Sequence, residues 1–429
     1  MVAHRSRSRP TRTPAQRPVG SAAVPEPPRV LWVSEEAPDR TLSGGNIRQA
    51  HLLTALARRT PTSLLLAGRL ADEVTRDALE SVTEVPTSSR PPASKLRQRA
   101  EALIMAAGAG SQEVYGARST RRAIGAKLRA IADDADIVII NHQALAPLLR
   151  LRRRGRWVAE IQHVSAEMAR QERVTIVGGR QRWVNSREIT QAARLERWIC
   201  DSFDLVSVVC EEDRALLGLD AARALLTPNG VDIARYVATP LPSAPRVVFP
   251  AALNFLPNVE GALWFCREVW PRIRAGVPEA ELSIVGRSPV PQVVELGNLP
   301  GVAVHGDVES MVPWLAWGRV VVVPLHIGTG TRLKAVEAMG SGRPVVGTAI
   351  GLGGLGLVNG EHAAISDDPA VMATDIITLL GDDQRAAAMA EAGRNLAVTK
   401  FDWTAIAERF ATDLLAAAGG AAGAAAGAR

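Results

Sequence analysis

The sequence predicts an α/β protein of two doubly wound parallel-sheet domains facing each other across a cleft. Short apolar runs alternate with helix-length segments, the order that strand–helix–strand units of a parallel sheet require. This alternation occurs twice, on either side of a break at Tyr236–Arg246 that holds Pro240, Pro242 and Pro245. A chain of 429 residues, 47% hydrophobic and 22% charged, has material for two ordinary cores.

In chain order, residues 1–28 alternate Arg, Ser and Pro and read as a disordered leader without the apolar core of a secretory signal. Residues 29–240 form the expected N-terminal domain, with strands at Val30–Ser34, Thr62–Leu66, Ile137–Asn141, Trp157–Ile161, Leu205–Cys210 and Leu225–Thr227. Residues 241–401 form the second, with strands at Val247–Phe249, Leu282–Val285, Val302–His305, Val320–Leu325, Val345–Thr348 and Ala363–Ser366. Several are apolar throughout, as strands covered on both faces are, and helical patterns such as Ile47–Arg59 and Val259–Ile273 separate them. Residues 402–418 read as a helix packing back toward the first domain, and 419–429 as a low-complexity tail.

Composition excludes several classes. No run approaches the ~18 apolar residues of a membrane span. Three cysteines (Cys200, Cys210, Cys266) without a CxxC pair argue against a disulfide framework or zinc site and for a reducing compartment. The net charge of +6 is unevenly placed: residues 1–240 carry 36 basic and 26 acidic side chains, residues 241–429 carry 14 and 18. The basic half points to an anionic partner. With only two tyrosines the stacking platforms of single-strand nucleic-acid binders are missing, so an anionic membrane surface is favoured over nucleic acid. The segment 90–129, with KLRQRAEALIMAAGA at helical spacing, suits that contact, and a sheet-covering helix or a solvated arginine-rich face is the other reading of it. The expected location is cytoplasmic, peripheral at the inner face of the membrane.

Ligands of open parallel sheets lie beyond the carboxyl ends of the strands. The strongest constellation there is Pro324–Met339, where a buried strand enters Gly328-Thr329-Gly330-Thr331 and a helix is expected to begin near Thr331. Glycines let backbone approach a ligand, and a helix N-terminus presents amides to anionic oxygen. Arg332 and Lys334 add positive charge where a diphosphate would lie, and Lys334 is one of four lysines against 46 arginines. Glu337, two turns on, is placed to accept hydrogen bonds from ribose hydroxyls. In the first domain, Ser43-Gly44-Gly45 opens a helix after the first strand and suits a phosphate or an acceptor. His142 and His163 follow consecutive strands, and Glu160 and Glu196 are further acids, Glu196 being explained by a helix-surface ion pair. Asn229-Gly230 reads as a turn at the domain border with glycine allowing positive φ, and Arg287 as a strand-end arginine beside a nucleotide.

TPNGVD (Thr227–Asp232), LSIVGRSP (Leu282–Pro289) and GTGTRLKAVEAMGSGRPVV (Gly328–Val346) resemble, in order and spacing over residues 29–415, glycosyltransferase family 4. PNVEGALWF (Pro257–Phe265) is similar to the branch found in polysaccharide and capsule biosynthesis. The resemblance implies a GT-B fold, two facing Rossmann-like domains, and retaining transfer from a nucleotide-sugar donor. It implies that Glu337 is the ribose-binding glutamate of the E-x7-E motif. The first glutamate of that motif would fall at Thr329 and is absent, which leaves sugar positioning to groups such as the amides of Gly328–Thr331. The arginine usual after the second domain's first strand is missing too, with Asn254 nearby, so Arg332 and Lys334 carry the phosphate charge. His142 matches the histidine that contacts the donor sugar, and His163 lies where many members have an H-x-x-S-like segment lining the acceptor side.

The expected reaction is metal-independent transfer from a UDP- or GDP-linked sugar, with no other cofactor. The acceptor is a glycan or a lipid-linked or cell-envelope polysaccharide intermediate. No DxD pair stands at a strand end of the second domain, and the charge on the leaving phosphate falls to Arg332, Lys334 and helix amides. A non-catalytic nucleotide-sugar-binding or scaffold protein and a nucleotide-sugar epimerase are the rivals. A dinucleotide dehydrogenase is a third and the poorest, for no G-x-G-x-x-G follows either first strand.

Overall fold

The computed structural model describes residues 26–41, 44–86 and 118–426. Ser43, the leader before residue 26 and most of the basic 90–129 segment lie outside them. Seven parallel strands form the first sheet, in the order β3-β2-β1-β4-β5-β6-β7. They are β1 Val30–Ser34, β2 Thr62–Ala67, β3 Ser81–Val85, β4 Ile137–Asn141, β5 Arg156–Ile161, β6 Leu205–Val208 and β7 Ala224–Leu226. Six parallel strands form the second, β10-β9-β8-β11-β12-β13. These are β8 Arg246–Ala252, β9 Glu281–Arg287, β10 Val302–Gly306, β11 Val320–Val323, β12 Val345–Gly347 and β13 Ala364–Ile365. Central strands are apolar because helices cover both faces: every residue of β1, β4 and β11 is buried.

Sequence reading missed β3. This edge strand, Ser-Val-Thr-Glu-Val, buries only Val85, so it carries alternation without an apolar run. Expected strand Leu205–Cys210 ends at Val208, and Cys210 instead caps the helix Glu211–Leu216. Expected helix Val259–Ile273 is broader, Leu256–Trp264 continuing through a π-helical turn, Phe265–Val269, into Trp270–Gly276.

The chain crosses between sheets twice, and the crossings touch. Val231 N–H donates to Phe401 O (2.7 Å) and Trp403 N–H to Val231 O (3.1 Å). Gly230 sits where they meet, and a Cβ there would stand 2.7 Å from Phe401 O and 2.9 Å from Trp403. Its glycine answers close approach rather than the positive φ expected from its turn. After the second crossing, the helix Trp403–Ala426 places Phe410, Ala411 and Leu414 in the core of the first domain beside Trp32 and Leu53. That helix continues to Ala426, into the segment expected to be a tail. Among the described residues no helix is long and apolar enough to cross a membrane.

A buried ion pair pins the first domain. Arg48, fully buried on the helix Gly44–Ala57, pairs through Nε with Glu160 of β5 and donates from Nη1 to Thr227 O (2.6 Å) and Pro228 O (3.1 Å). Glu160 is thereby structural. Glu196 is not on the surface as expected: it is buried and accepts the Ala166 N–H at 3.1 Å, at the start of the helix Ser165–Glu172. Removing one partner of a buried pair leaves an uncompensated charge, so Arg48→Met is expected to cost about 3–5 kcal/mol of stability. Urea unfolding measures it, and a loss below 1 kcal/mol would refute this role for the pair.

Candidate active site

The carboxyl ends of both sheets point at one cleft of about 490 Å³, within the range of ligand sites. Its second-domain wall is built by β11. Four buried valines lead to Gly328 and Gly330, whose φ values of +145° and +74° only glycine takes without strain. The helix that follows starts at Leu333, two residues later than expected, because Arg332 is extended (φ −94°, ψ 108°). Lys334 and Glu337, three apart on that helix, share the face that lines the cleft.

Lys334 Nζ donates to Asn258 Oδ1 (2.6 Å), from the helix Leu256–Trp264, and lies 5.5 Å from the Phe249 ring centroid. Burial, with the nearby Arg332 charge, pushes its pKa down to about 7. Glu337 accepts the Tyr236 O–H at 2.7 Å, and burial raises its pKa to about 7 against the lowering pull of that bond, Arg235 and Lys334. Tyr236 is raised in turn by burial and by the Glu337 charge. Arg332 folds back over the glycine loop, Nη1 donating to Thr329 O, while its Nε is buried without a hydrogen-bond partner. Burial lowers its pKa, and Asp213 acts to raise it.

The expectation that the amides of Gly328–Thr331 face a donor is corrected in part. Gly328 N–H donates to Gln171 Oε1 (2.6 Å) and Gly330 N–H to Asp213 Oδ1 (3.0 Å), both from the first domain. Thr329 Oγ1 accepts the Val164 N–H (2.8 Å). Asn229 donates to Thr331 from both its backbone N (2.9 Å) and its Nδ2 (3.0 Å). The loop is where the domains meet, and buried backbone groups there must find partners. The cleft's candidates for holding an anion are then Arg332, Lys334 and the amides of Leu333 and Lys334, since the Ala335 N–H already donates to Arg332 O (3.0 Å).

On the first-domain wall, Gly44 and Gly45 line the cleft, and a Cβ on Gly45 would come within 2.8 Å of Gln162 Oε1. His163 lines it as well. His142 stands behind, its ring centroid 6.2 Å from that of His163 and its Nδ1 3.0 Å from Glu35. Its φ of +83° is rare for a side chain with a Cβ and marks a strained strand end. Arg287, exposed at the end of β9, lines the cleft with Glu309 and Ser310. Four cations (Arg235, Arg287, Arg332, Lys334) face two acids (Glu309, Glu337), so the cleft attracts anions. Among the described residues no group of three His, Cys, Asp or Glu is placed to hold a metal.

Arg332, Lys334, Glu337, Gly328, Thr329, Thr331, Asn229, Arg287, Gly44, Gly45 and His163 thus share one cleft, with Gly330 at its edge against Asp213 and His142 outside it. Sequence reasoning missed Tyr236, Asn258, Gln171 and Asp213. Tyr236 had a signal, as one of two tyrosines in the chain, at the end of the first crossing.

This architecture is the GT-B fold. Residues 244–382 match the family model described as "Glycosyl transferases group 1". An uncharacterized 44.6 kDa protein in the cps region of Klebsiella pneumoniae is 28% identical over 140 residues, covering 31% of this chain and 36% of that protein. A glycogen synthase of Mycobacterium tuberculosis is 25% identical over 280 residues, 61% of this chain and 66% of its own. The chain thus spans about a third of the first curated relative and just under two thirds of the second. Among solved structures, Anabaena HepE in complex with UDP-glucose superposes with a TM-score of 0.61 at 17% identity, covering 91% of this chain and all of that one.

Proposed function

We propose that the protein is a retaining, metal-independent glycosyltransferase that moves a sugar from a nucleotide-diphosphate donor to a glycan or lipid-linked cell-envelope intermediate. The observation that carries this is the convergence of Arg332, Lys334 and Glu337 on one cation-rich cleft between two parallel sheets. The group 1 domain and the UDP-glucose held by HepE support the donor class, and the cps-region relative supports polysaccharide as the product.

In this reading the bond from the anomeric carbon to the diphosphate breaks and the diphosphate keeps the electron pair. Lys334 and Arg332 stabilise that charge. Glu337, oriented by Tyr236, takes the ribose hydroxyls. The acceptor enters from the side of Gly44, Gly45 and His163. Its oxygen attacks on the leaving-group face and passes its proton to the departing phosphate oxygen, so configuration is retained.

A thermal-shift screen against UDP-, GDP- and other nucleotide sugars tests the donor, and the anomeric configuration of a transferred sugar, read by NMR, tests retention. A protein stabilised by no nucleotide sugar would end the proposal. Stabilisation without turnover on any acceptor would favour a binding protein.

Lys334 also predicts a pH dependence. It titrates near pH 7, and losing its proton removes a positive charge from the cleft. Affinity for inorganic pyrophosphate, which makes no ribose contact with Glu337, is therefore expected to fall as pH rises from 6 to about 8. Calorimetric titration checks it, and an affinity that rises across that range would contradict it.

A further inference from the structure

We infer that the surface formed by residues 173–187 docks the protein on an anionic lipid surface. Four arginines lie in it (Arg173, Arg180, Arg182 and Arg187) and no acidic residue does. Among them stand Val174, 89% exposed, Val177, 85%, Trp183, 48%, and Val184, 38%. Single exposed apolar side chains are ordinary, but four within eleven residues, interleaved with arginines and flanked by one acid at each end (Glu172 and Glu188), are not. That chemistry suits the bilayer boundary: aliphatic groups enter the acyl region, tryptophan sits at headgroup depth, and guanidinium groups meet lipid phosphates.

The surface has a rigid base. It joins the helices Ser165–Glu172 and Gly179–Ser202, and buried Asn185 ties one to the other by donating from Nδ2 to Ala169 O (2.8 Å). Arg182 Nε donates to Ile176 O (3.2 Å) across the turn, and the Arg187 guanidinium lies 5.3 Å from the Trp183 ring centroid. Trp183 is thus half exposed with a guanidinium beside its ring.

The place gives the contact a use. Met168, on the first of these helices, lines the cleft, and Gln171, two residues before the patch, holds Gly328 of the glycine loop. A bilayer docked at 173–187 would bring headgroups to the first-domain lip of the cleft, where the proposed function puts a lipid-linked acceptor. The docking rests on that reading for its purpose only. The sequence offered segment 90–129 for such a contact, and its residues 90–117 lie outside the described residues.

The test is co-sedimentation of the full chain with phosphatidylcholine vesicles with or without phosphatidylglycerol, at low salt. Binding to the anionic vesicles alone, reversed by added salt, is expected. The double substitution R180S/R182S should weaken it about thirtyfold, at the usual contribution per surface cation, and Trp183→Ser should weaken it too. Unchanged melting and an unchanged nucleotide-sugar shift show that the variants remain folded. Wild-type protein left in the supernatant, equal binding to neutral vesicles, or variants that bind as tightly as wild type would each overturn the inference. Loss of the nucleotide-sugar shift with vesicle binding intact would instead sink the transferase reading alone.

Discussion

Replacing Lys334 with methionine is expected to lower sugar transfer about a hundred- to a thousandfold, or ~3–4 kcal/mol in the barrier, without lowering the melting temperature. The first effect follows from where the ammonium lies, on the helix that begins at the cleft and beside a guanidinium. The second follows from its titration. Burial holds the folded pKa at about 7, against 10.5 ordinarily. Below pH 7 both folded and unfolded chains carry the proton, and the full cost of burying the charge is present. Between 7 and 10.5 the unfolded chain binds more protons, so stability rises with pH, and above 10.5 the penalty is gone. Methionine fills the same space with no charge to desolvate. Thermal melting at pH 7 beside a transfer assay reads both effects. Transfer within a few-fold of wild type would remove Lys334 from the phosphate site.

Glu337→Gln is expected to weaken nucleoside diphosphate binding about ten- to a hundredfold, the usual range for losing the charge from a charged hydrogen bond, and to leave pyrophosphate binding unaffected. The comparison isolates the ribose. Glutamine can still accept the Tyr236 O–H, so the side chain keeps its place while its charge is removed. The folded pKa of Glu337, about 7, lies above its usual 4.5, so the folded chain binds more protons between those values. Stability from this group is therefore present below pH 4.5 and lost as pH rises through 7, and at pH 7 the amide should cost no stability. An equal loss for UDP and for pyrophosphate would move Glu337 from the ribose to the phosphates.

Much of the fold was legible because parallel strands covered on both faces must be apolar. The runs Val320–Val323 and Ile137–Ile140 leave little choice of role. The edge strand Ser81–Val85 was hidden because solvent relaxes that demand on one side. At the cleft, the glycine pair and the Arg, Lys and Glu that follow were readable from spacing within one loop and helix. Their partners were not: Asn258, Tyr236, Gln171 and Asp213 reach the same loop and helix from 76 to 157 positions away. The glycine loop's meeting with the first domain was likewise beyond local reading, since a sequence shows which amides a turn exposes and not what later covers them. His142 illustrates the same limit. Its strand end was evident, but its pairing with Glu35 behind His163 is a tertiary fact.

The helix that closes the first sheet bears on how the polypeptide is made. Its inward face, Ala407, Phe410, Ala411 and Leu414, leaves the ribosome after the whole second sheet. At common elongation rates the strands it shields wait roughly ten to thirty seconds with that side bare. The half synthesised first is therefore completed last, and for that interval the nascent chain offers Trp32, Leu53 and Leu56 to any chaperone within reach.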